Sequence, residues 1–255
     1  MTINTVTFYS LVKREVSRFA KVAIQTIFAP LISTGLYLII FSYSFKSREV
    51  VGYGIPYINF IVPGLIMMSL IQNSFANTSS SLIGAKYNGN IIDFLLAPFS
   101  YIELTLGFMI GGIVRGMLVG SVIYLVSILF YGGEVAHPLL AILFAFMVSA
   151  IFSLLGIIAG LWAEKFDHVS IFSNFFITPL TFLSGVFYSV KGLPGIWSKV
   201  SLFNPVFYMV DATRYAFVGQ SDINPSVSGI IIGGLVIGLL LLVTYLFKIG
   251  YKVKS

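Results

Sequence analysis

The amino-acid sequence predicts an all-α polytopic membrane protein with six transmembrane helices, and three observations carry that prediction. Only 9% of the 255 residues are charged, against about 25% in soluble domains. Hydrophobic residues make up 58% and mean hydropathy is +0.98, so lipid must be the solvent for most of the surface. The apolar residues also fall into six continuous stretches, roughly 23–45, 58–83, 103–131, 138–162, 170–190 and 227–247. Each reaches the ~20 residues that a helix needs to cross the hydrocarbon core. Lipid offers no partner for free backbone groups, so the stretches should be helices, and a β-barrel would show alternating segments of about ten residues instead. A soluble globular enzyme is excluded.

Residues 1–22 precede the first stretch and carry Lys13, Arg14, Arg18 and Lys21 beside Phe8, Leu11, Val12, Val16 and Phe19. This spacing puts an apolar set on one helical face and a basic set on the other. The segment reads as an interfacial amphipathic helix on an anionic leaflet, or simply as the positive flank of the first span. The span behind it is longer than a signal-peptide core and lacks a small-x-small cleavage site, so it is expected to be kept. Residues 23–251 form the transmembrane domain, with no linker or charge block to mark a second one and no convincing repeat between its halves.

Between spans two and three, Asn90 is a good N-cap and Pro98 stops a helix after about two turns. Ile91, Ile92, Asp93, Phe94, Leu95 and Leu96 fill that piece. Apolar side chains outside the bilayer mark a docking surface for a soluble partner, or else a helix tucked against the chain's own spans. Span two itself carries Gln72, Asn73, Ser74, Asn77, Thr78, Ser79, Ser80 and Ser81. Asn73, Asn77, Ser80 and Ser81 share a face, and polar groups at membrane depth need partners or water. They line a pathway, or they are interhelical glue worth about 0.6–2 kcal/mol per contact.

Arg115 is the full charge deepest inside a span, and an intramembrane charge is a candidate functional group. A pairing with another helix competes with contact to anionic substrate or lipid. Glycines four apart, at Gly107/Gly111, Gly112/Gly116/Gly120, Gly156/Gly160, Gly229/Gly233 and Gly234/Gly238, let helices approach closely. Residues 184–221 are too apolar for a solvated loop and too broken by Pro and Gly for a span. They read as re-entrant or interfacial short helices on the outer side, around Asn204, Pro205, Tyr208, Asp211 and Arg214. Asp211 and Arg214, three apart, are placed to pair.

The loops set the orientation. Nine Lys and Arg residues gather on the side of both termini against five on the other, so both termini are expected in the cytoplasm. The formal charge of +6 and pI near 9.4 follow from that flanking pattern, and no nucleic-acid partner is called for. With no cysteine, disulfides and thiol chemistry are excluded. No phosphate-binding glycine loop, catalytic triad or metal-spaced histidine pair occurs, and His137 and His168 stand alone. The chain is thus expected to be non-catalytic, without a cofactor or metal of its own, its driving energy coming from another subunit.

Three stretches resemble the permeases of type-2 ABC exporters, which include drug, polysaccharide and nodulation-factor exporters. They are Phe60-Ile-Val-Pro-Gly-Leu-Ile-Met-Met68 with the Asn90–Pro98 segment, Thr178-Pro-Leu-Thr-Phe-Leu-Ser-Gly-Val-Phe-Tyr188, and Leu202-Phe-Asn-Pro-Val-Phe-Tyr-Met209 followed by Arg214-Tyr215. Within that family the chain looks most like Gram-negative inner-membrane permeases of unassigned substrate. The resemblance implies a homodimer in the bacterial inner membrane, each subunit docked to a separate ATP-binding cassette chain that holds ATP and Mg. It implies that the Asn90–Leu96 segment is the coupling helix, with the N-terminal helix adding contact to the partner. It also places spans two and five at the two-fold axis, adding Thr178, Thr181 and Ser184 to the candidate pathway lining. An amphiphilic, lipid-linked or drug-like cargo fits this pattern. The rival reading is a self-contained carrier or channel driven by an ion gradient.

Overall fold

The computed structural model describes residues 5–45, 48–50, 53–91, 94, 97 and 99–252. Among them the chain is nearly all helix and forms no strand, only one isolated bridge between Glu49 and Pro56. In order come α1 (Thr5–Ala20), α2 (Ala23–Ser44), α3 (Tyr57–Tyr87), α4 (Tyr101–Tyr131) and α5 (Pro138–Trp162). Then follow α6 (Phe166–Phe172), a π-helical turn (Ser173–Ile177), α7 (Thr178–Phe182) and a 3-10 turn at Val190–Gly192. The chain closes with α8 (Ile196–Phe203), α9 (Pro205–Val218) and α10 (Pro225–Ile249).

The helix ends are written in local chemistry. Ser100 and Glu103 form a reciprocal capping box at the start of α4, which satisfies two donors that the first turn leaves free. Asn204 and Asn224 cap α9 and α10, each followed by a proline whose missing N–H is harmless there. Gly132 ends α4 with φ near 90°, a left-handed conformation that a side chain would resist. The carboxyl end of α5 is held from outside: Lys86 donates to Leu161 O and Ala163 O, and Lys252 to Glu164.

Among the described residues five helices are long and apolar enough to cross a membrane: α2, α3, α4, α5 and α10. Their bounds fall within a few residues of the expected stretches. The expected span 170–190 is different, being helical only from Phe166 to Phe182 and interrupted by the π turn. The sixth expected stretch is thus a broken helix, and five continuous helices of spanning length stand among the described residues. Pro179 has no N–H to give to Phe175 O, and the turn before it widens until Thr178 N–H reaches back to Ser173 O. The segment still follows the whole of α3. Phe166 packs on Tyr87 and Phe172 stacks on Phe75 at 5.6 Å. At the far end Val186 presses on Gly64 and Tyr57 Oη donates to Phe187 O at 2.7 Å.

α3 is the axis of the fold, buried along most of its length between α4, α5 and α9. The glycines explain how three helices come so near. A Cβ at Gly156 would meet Phe75 O at 2.5 Å, and one at Gly160 would meet Leu82 Cβ at 2.8 Å. The same spacing in α10 has no such role, since Gly229, Gly234 and Gly238 face open space. α2 and α10 turn most of their side chains outward, including Phe28, Ile32, Ile230 and Ile237. α1 does not lie apart from the bundle. It runs lengthwise beside the first part of α4, with Leu11 on Gly107 and Glu15 on Gly111.

Candidate functional site

The polar stripe of α3 is one face, as its spacing predicts, and α1 and α4 cover it. Arg18 donates through Nη2 to Asn77 O at 2.6 Å and Asn77 Oδ1 at 2.9 Å, and through Nη1 to Ser80 Oγ at 3.2 Å. Ser81 Oγ donates to Glu15 Oε1 at 2.8 Å, and Glu15 pairs with Arg18 at 3.5 Å. One turn further along, Arg115 Nη2 donates to Asn73 Oδ1 at 3.3 Å, while Asn73 Nδ2 donates to Ser69 O. Thr78 of the run faces α5, where its Oγ1 donates to Ser153 O at 2.8 Å, while Ser74 Oγ lies against Gly116 of α4. Burial pushes the Glu15 carboxyl above the usual carboxylate range, against the opposing pull of Arg18. Burial likewise lowers the Arg18 guanidinium although Glu15 favours its charge.

Of the expected docking segment, Asn90, Ile91 and Phe94 are described, while Ile92, Asp93, Leu95, Leu96 and Pro98 lie outside the described residues. Ile91 and Phe94 turn inward, joining a core with Leu11, Leu104, Phe108 and Phe247. Asn90 is exposed, and so is Tyr87 at 78%. The Arg14 guanidinium sits 4.3 Å from the centre of the Phe94 ring, a cation–π contact that joins α1 to this segment.

Thr178, Thr181 and Ser184 spend their hydroxyls on the carbonyls of Ser173, Ile177 and Thr181 in their own segment. Thr181 and Ser184 are fully buried within the subunit, and the face turned outward carries Phe175, Phe176 and Phe182. Asn73, Asn77, Ser81, Thr181 and Ser184 are thus covered within the subunit, while Thr178 and Ser80 are partly exposed.

At the opposite end Arg214 is completely buried. It pairs with Asp211 at 3.7 Å as the i, i+3 spacing predicts. Its Nη2 donates to Gly185 O at 2.5 Å and its Nε to Phe60 O at 3.4 Å, with the guanidinium 3.8 Å from the Phe60 ring. Asp211 accepts from Asp222 N and Ile223 N. Asn204 Nδ2 donates to Leu180 O at 2.6 Å from the cap that starts α9 at Pro205, and Tyr208 Oη donates to Leu202 O at 2.9 Å.

Two residues escaped the reading of the sequence. Glu15 sits four residues from both Leu11 and Phe19, a carboxylate on the apolar stripe of α1, and that anomaly was a readable signal. Asp222 accepts from Tyr53 Oη, Ser189 Oγ and Val190 N. Nothing in its sequence surroundings marks it, because its partners lie about 30 and 170 residues away.

Fold and site together define an integral membrane protein whose long apolar helices pack around a buried polar stripe. Residues 6–218 match the family of ABC-2 type transporters, and the chain belongs to that family. It is 39% identical over 223 residues to the inner membrane transport permease YadH of Escherichia coli K12, covering 88% of this chain and 87% of that protein. It is 26% identical to nodulation protein J of Sinorhizobium fredii, over 66% of this chain and 64% of that protein. Identity to the daunorubicin resistance ABC transporter permease protein DrrB1 of Streptomyces coeruleorubidus is 25%, over 73% and 66%. The family consists of membrane transport subunits, which accords with a permease role.

Proposed function

We propose that the chain is the membrane-spanning subunit of an ABC exporter, working as a homodimer in the bacterial inner membrane with both termini in the cytoplasm. ATP and Mg are held by a separate ATP-binding subunit, and the cargo is amphiphilic, lipid-linked or drug-like. The observation that carries this reading is the joint packing of α1 and Phe94 at one end of a chain of this family. A push on the Asn90–Leu96 segment, acting as a coupling helix, reaches α1 through Arg14 and then the α3 stripe through Arg18. α6 and α7 complete a sixth crossing beside α3, and their outward phenylalanines, with those of α2, offer an apolar face to lipid or to the second copy. In the state described here α1 covers Asn77 and Ser81 and Arg115 of α4 covers Asn73, so a path along this stripe opens only when α1 shifts.

The test is co-expression with a candidate ATP-binding cassette subunit, followed by co-purification and measurement of ATP hydrolysis. Wild type should retain the partner. Tyr87→Glu, on an exposed site next to the coupling segment, should weaken retention while leaving the membrane subunit monodisperse. Charges at Phe94 would instead disturb folding, since that ring is buried. Solute transport by the purified chain alone, driven by an ion gradient, would overturn the proposal.

A further inference from the structure

The α1–α3–α4 cluster holds more positive charge than the protein supplies partners for. Among the described residues the ion pairs are Arg18 with Glu15, Arg214 with Asp211 and Lys252 with Glu164, and none involves Arg115. Arg115 has one bond, to the neutral Asn73. Arg18 and Arg115 hold adjacent turns of one α3 face and repel each other. Arg18 Nε, Arg115 Nε and Asn77 Nδ2 are buried with no acceptor. All three are N–H donors, and a buried donor left unpaired costs about 1–3 kcal/mol, more when charged. Glu15 Oε2 also has no hydrogen bond and faces Arg18 at 3.5 Å, so the cluster sets one carboxylate against two guanidiniums, and Arg115 has no negative partner among the described residues.

The place of the cluster narrows the choice. Arg18 reaches Asn77 from the last turn of α1, immediately before the 22 apolar residues of α2 begin. A junction between an amphipathic helix and an apolar one of spanning length lies at the boundary between headgroups and hydrocarbon. Arg115 lies about one turn, or ~6 Å, deeper, within the reach of a guanidinium that extends toward the headgroups. Both arginines are half-exposed, so a group from the bilayer can approach them.

We propose that Arg18 and Arg115 form a binding site for a phosphate ester, namely the headgroup phosphate of an anionic phospholipid in the leaflet on the α1 side. Arginine forks match phosphate oxygens bidentately, and the Glu15 carboxylate sets how much positive charge is left for the ligand. The site is distinct from the docking of an ATP-binding subunit and does not depend on it.

The experiment places the purified chain in nanodiscs of equal phosphatidylglycerol and phosphatidylcholine and counts the lipids retained after release, by native mass spectrometry. Wild type should retain phosphatidylglycerol preferentially. The double variant Arg18→Gln/Arg115→Gln should lose about tenfold of that preference, the equivalent of ~1.4 kcal/mol. Glu15→Gln should raise retention, because it removes the competing carboxylate, and it keeps the proposal testable if the double variant fails to fold. Lys191→Gln, at an exposed site near the opposite end, should change nothing. Glycerol phosphate in solution is the arm that separates sources: failure to compete assigns the site to lipid, and full competition overturns that assignment in favour of a soluble phosphate. Equal retention of the two lipids by wild type, or no change in Glu15→Gln, overturns the site.

Discussion

The molecule buries two charge networks, one at each end, and finishes them differently. Around Arg214, most side-chain charges end on backbone, at Gly185 O, Phe60 O, and the N–H groups of Asp222, Ile223 and Val190, although Arg214 Nη1 has no hydrogen bond and faces Asp211 at 3.7 Å. Around Arg18, side chains bond mostly to side chains, and several donors have no acceptor. A backbone partner is fixed by the fold, whereas a side-chain partner can be exchanged when a helix slides. The Arg214 network ties α3, α9, the 183–190 turn and the loop before α10 into one end piece. The Arg18 network only lays α1 against a stripe that offers alternative partners at every turn. One end is fastened, and the other can be rearranged.

The strongest way to break this contrast is Arg214→Ala. Removing one partner of a fully buried ion pair leaves an uncompensated charge and costs about 3–5 kcal/mol. Asp211 would keep its two backbone donors, and the carbonyls of Gly185 and Phe60 would lose theirs. Unfolding in detergent should show that loss, and a change near zero would mean that the Arg214 network fastens nothing. Asp222→Asn comes next. It removes the charge that draws in Tyr53, Ser189 and Val190 N–H, where hydrogen bonds to a charged group are worth about 1.5–3 kcal/mol. Hydrogen exchange at Val190–Gly192 should rise with it, while α1 is unaffected.

Arg18→Gln tests the opposite end. Its side chain is 31% exposed, and partly solvated ion pairs contribute about 1 kcal/mol or less. Global stability should hardly move, yet the amides of α1 should exchange faster, since Asn77 and Ser80 lose their donor. If instead Arg18→Gln destabilised the whole chain as much as Arg214→Ala, the two ends would be equivalent and the account of a loose end would be wrong.

How much of this was legible beforehand follows from the range of each interaction. Five helices were readable nearly to their ends because lipid imposes length and apolarity locally. The interruption near Pro179 was hidden by a composition that stays apolar throughout. The Asp211–Arg214 pair was readable because both residues lie on one helix. The stripe of Asn73, Asn77, Ser80 and Ser81 was readable as a face, but its occupant was not, since Glu15 and Arg18 lie about 60 residues away. The glycine pairs show the same limit. Gly156 and Gly234 carry identical local signals, and only tertiary packing decides that the first touches backbone and the second nothing.

The smallest effect discriminates most sharply, because its sign rather than its size carries the answer. Burial holds the Glu15 carboxyl above its unfolded value, so docked α1 keeps a proton that free α1 has already lost. Stability rises with pH wherever the unfolded state binds more protons, and here the folded state binds more. The docking of α1 should therefore weaken as pH rises from the ordinary carboxylate range through the raised value of Glu15, and then level off. Arg18 stays charged across this window and adds no slope. Glu15→Gln should abolish the slope. The measurement is exchange protection of α1, corrected for intrinsic rates, in wild type and variant over the acid range. A slope of the opposite sign would mean that pairing with Arg18 outweighs burial. Glu15 would then be a fastened partner of the kind Asp211 is, and the Arg18 end would be as fixed as the Arg214 end.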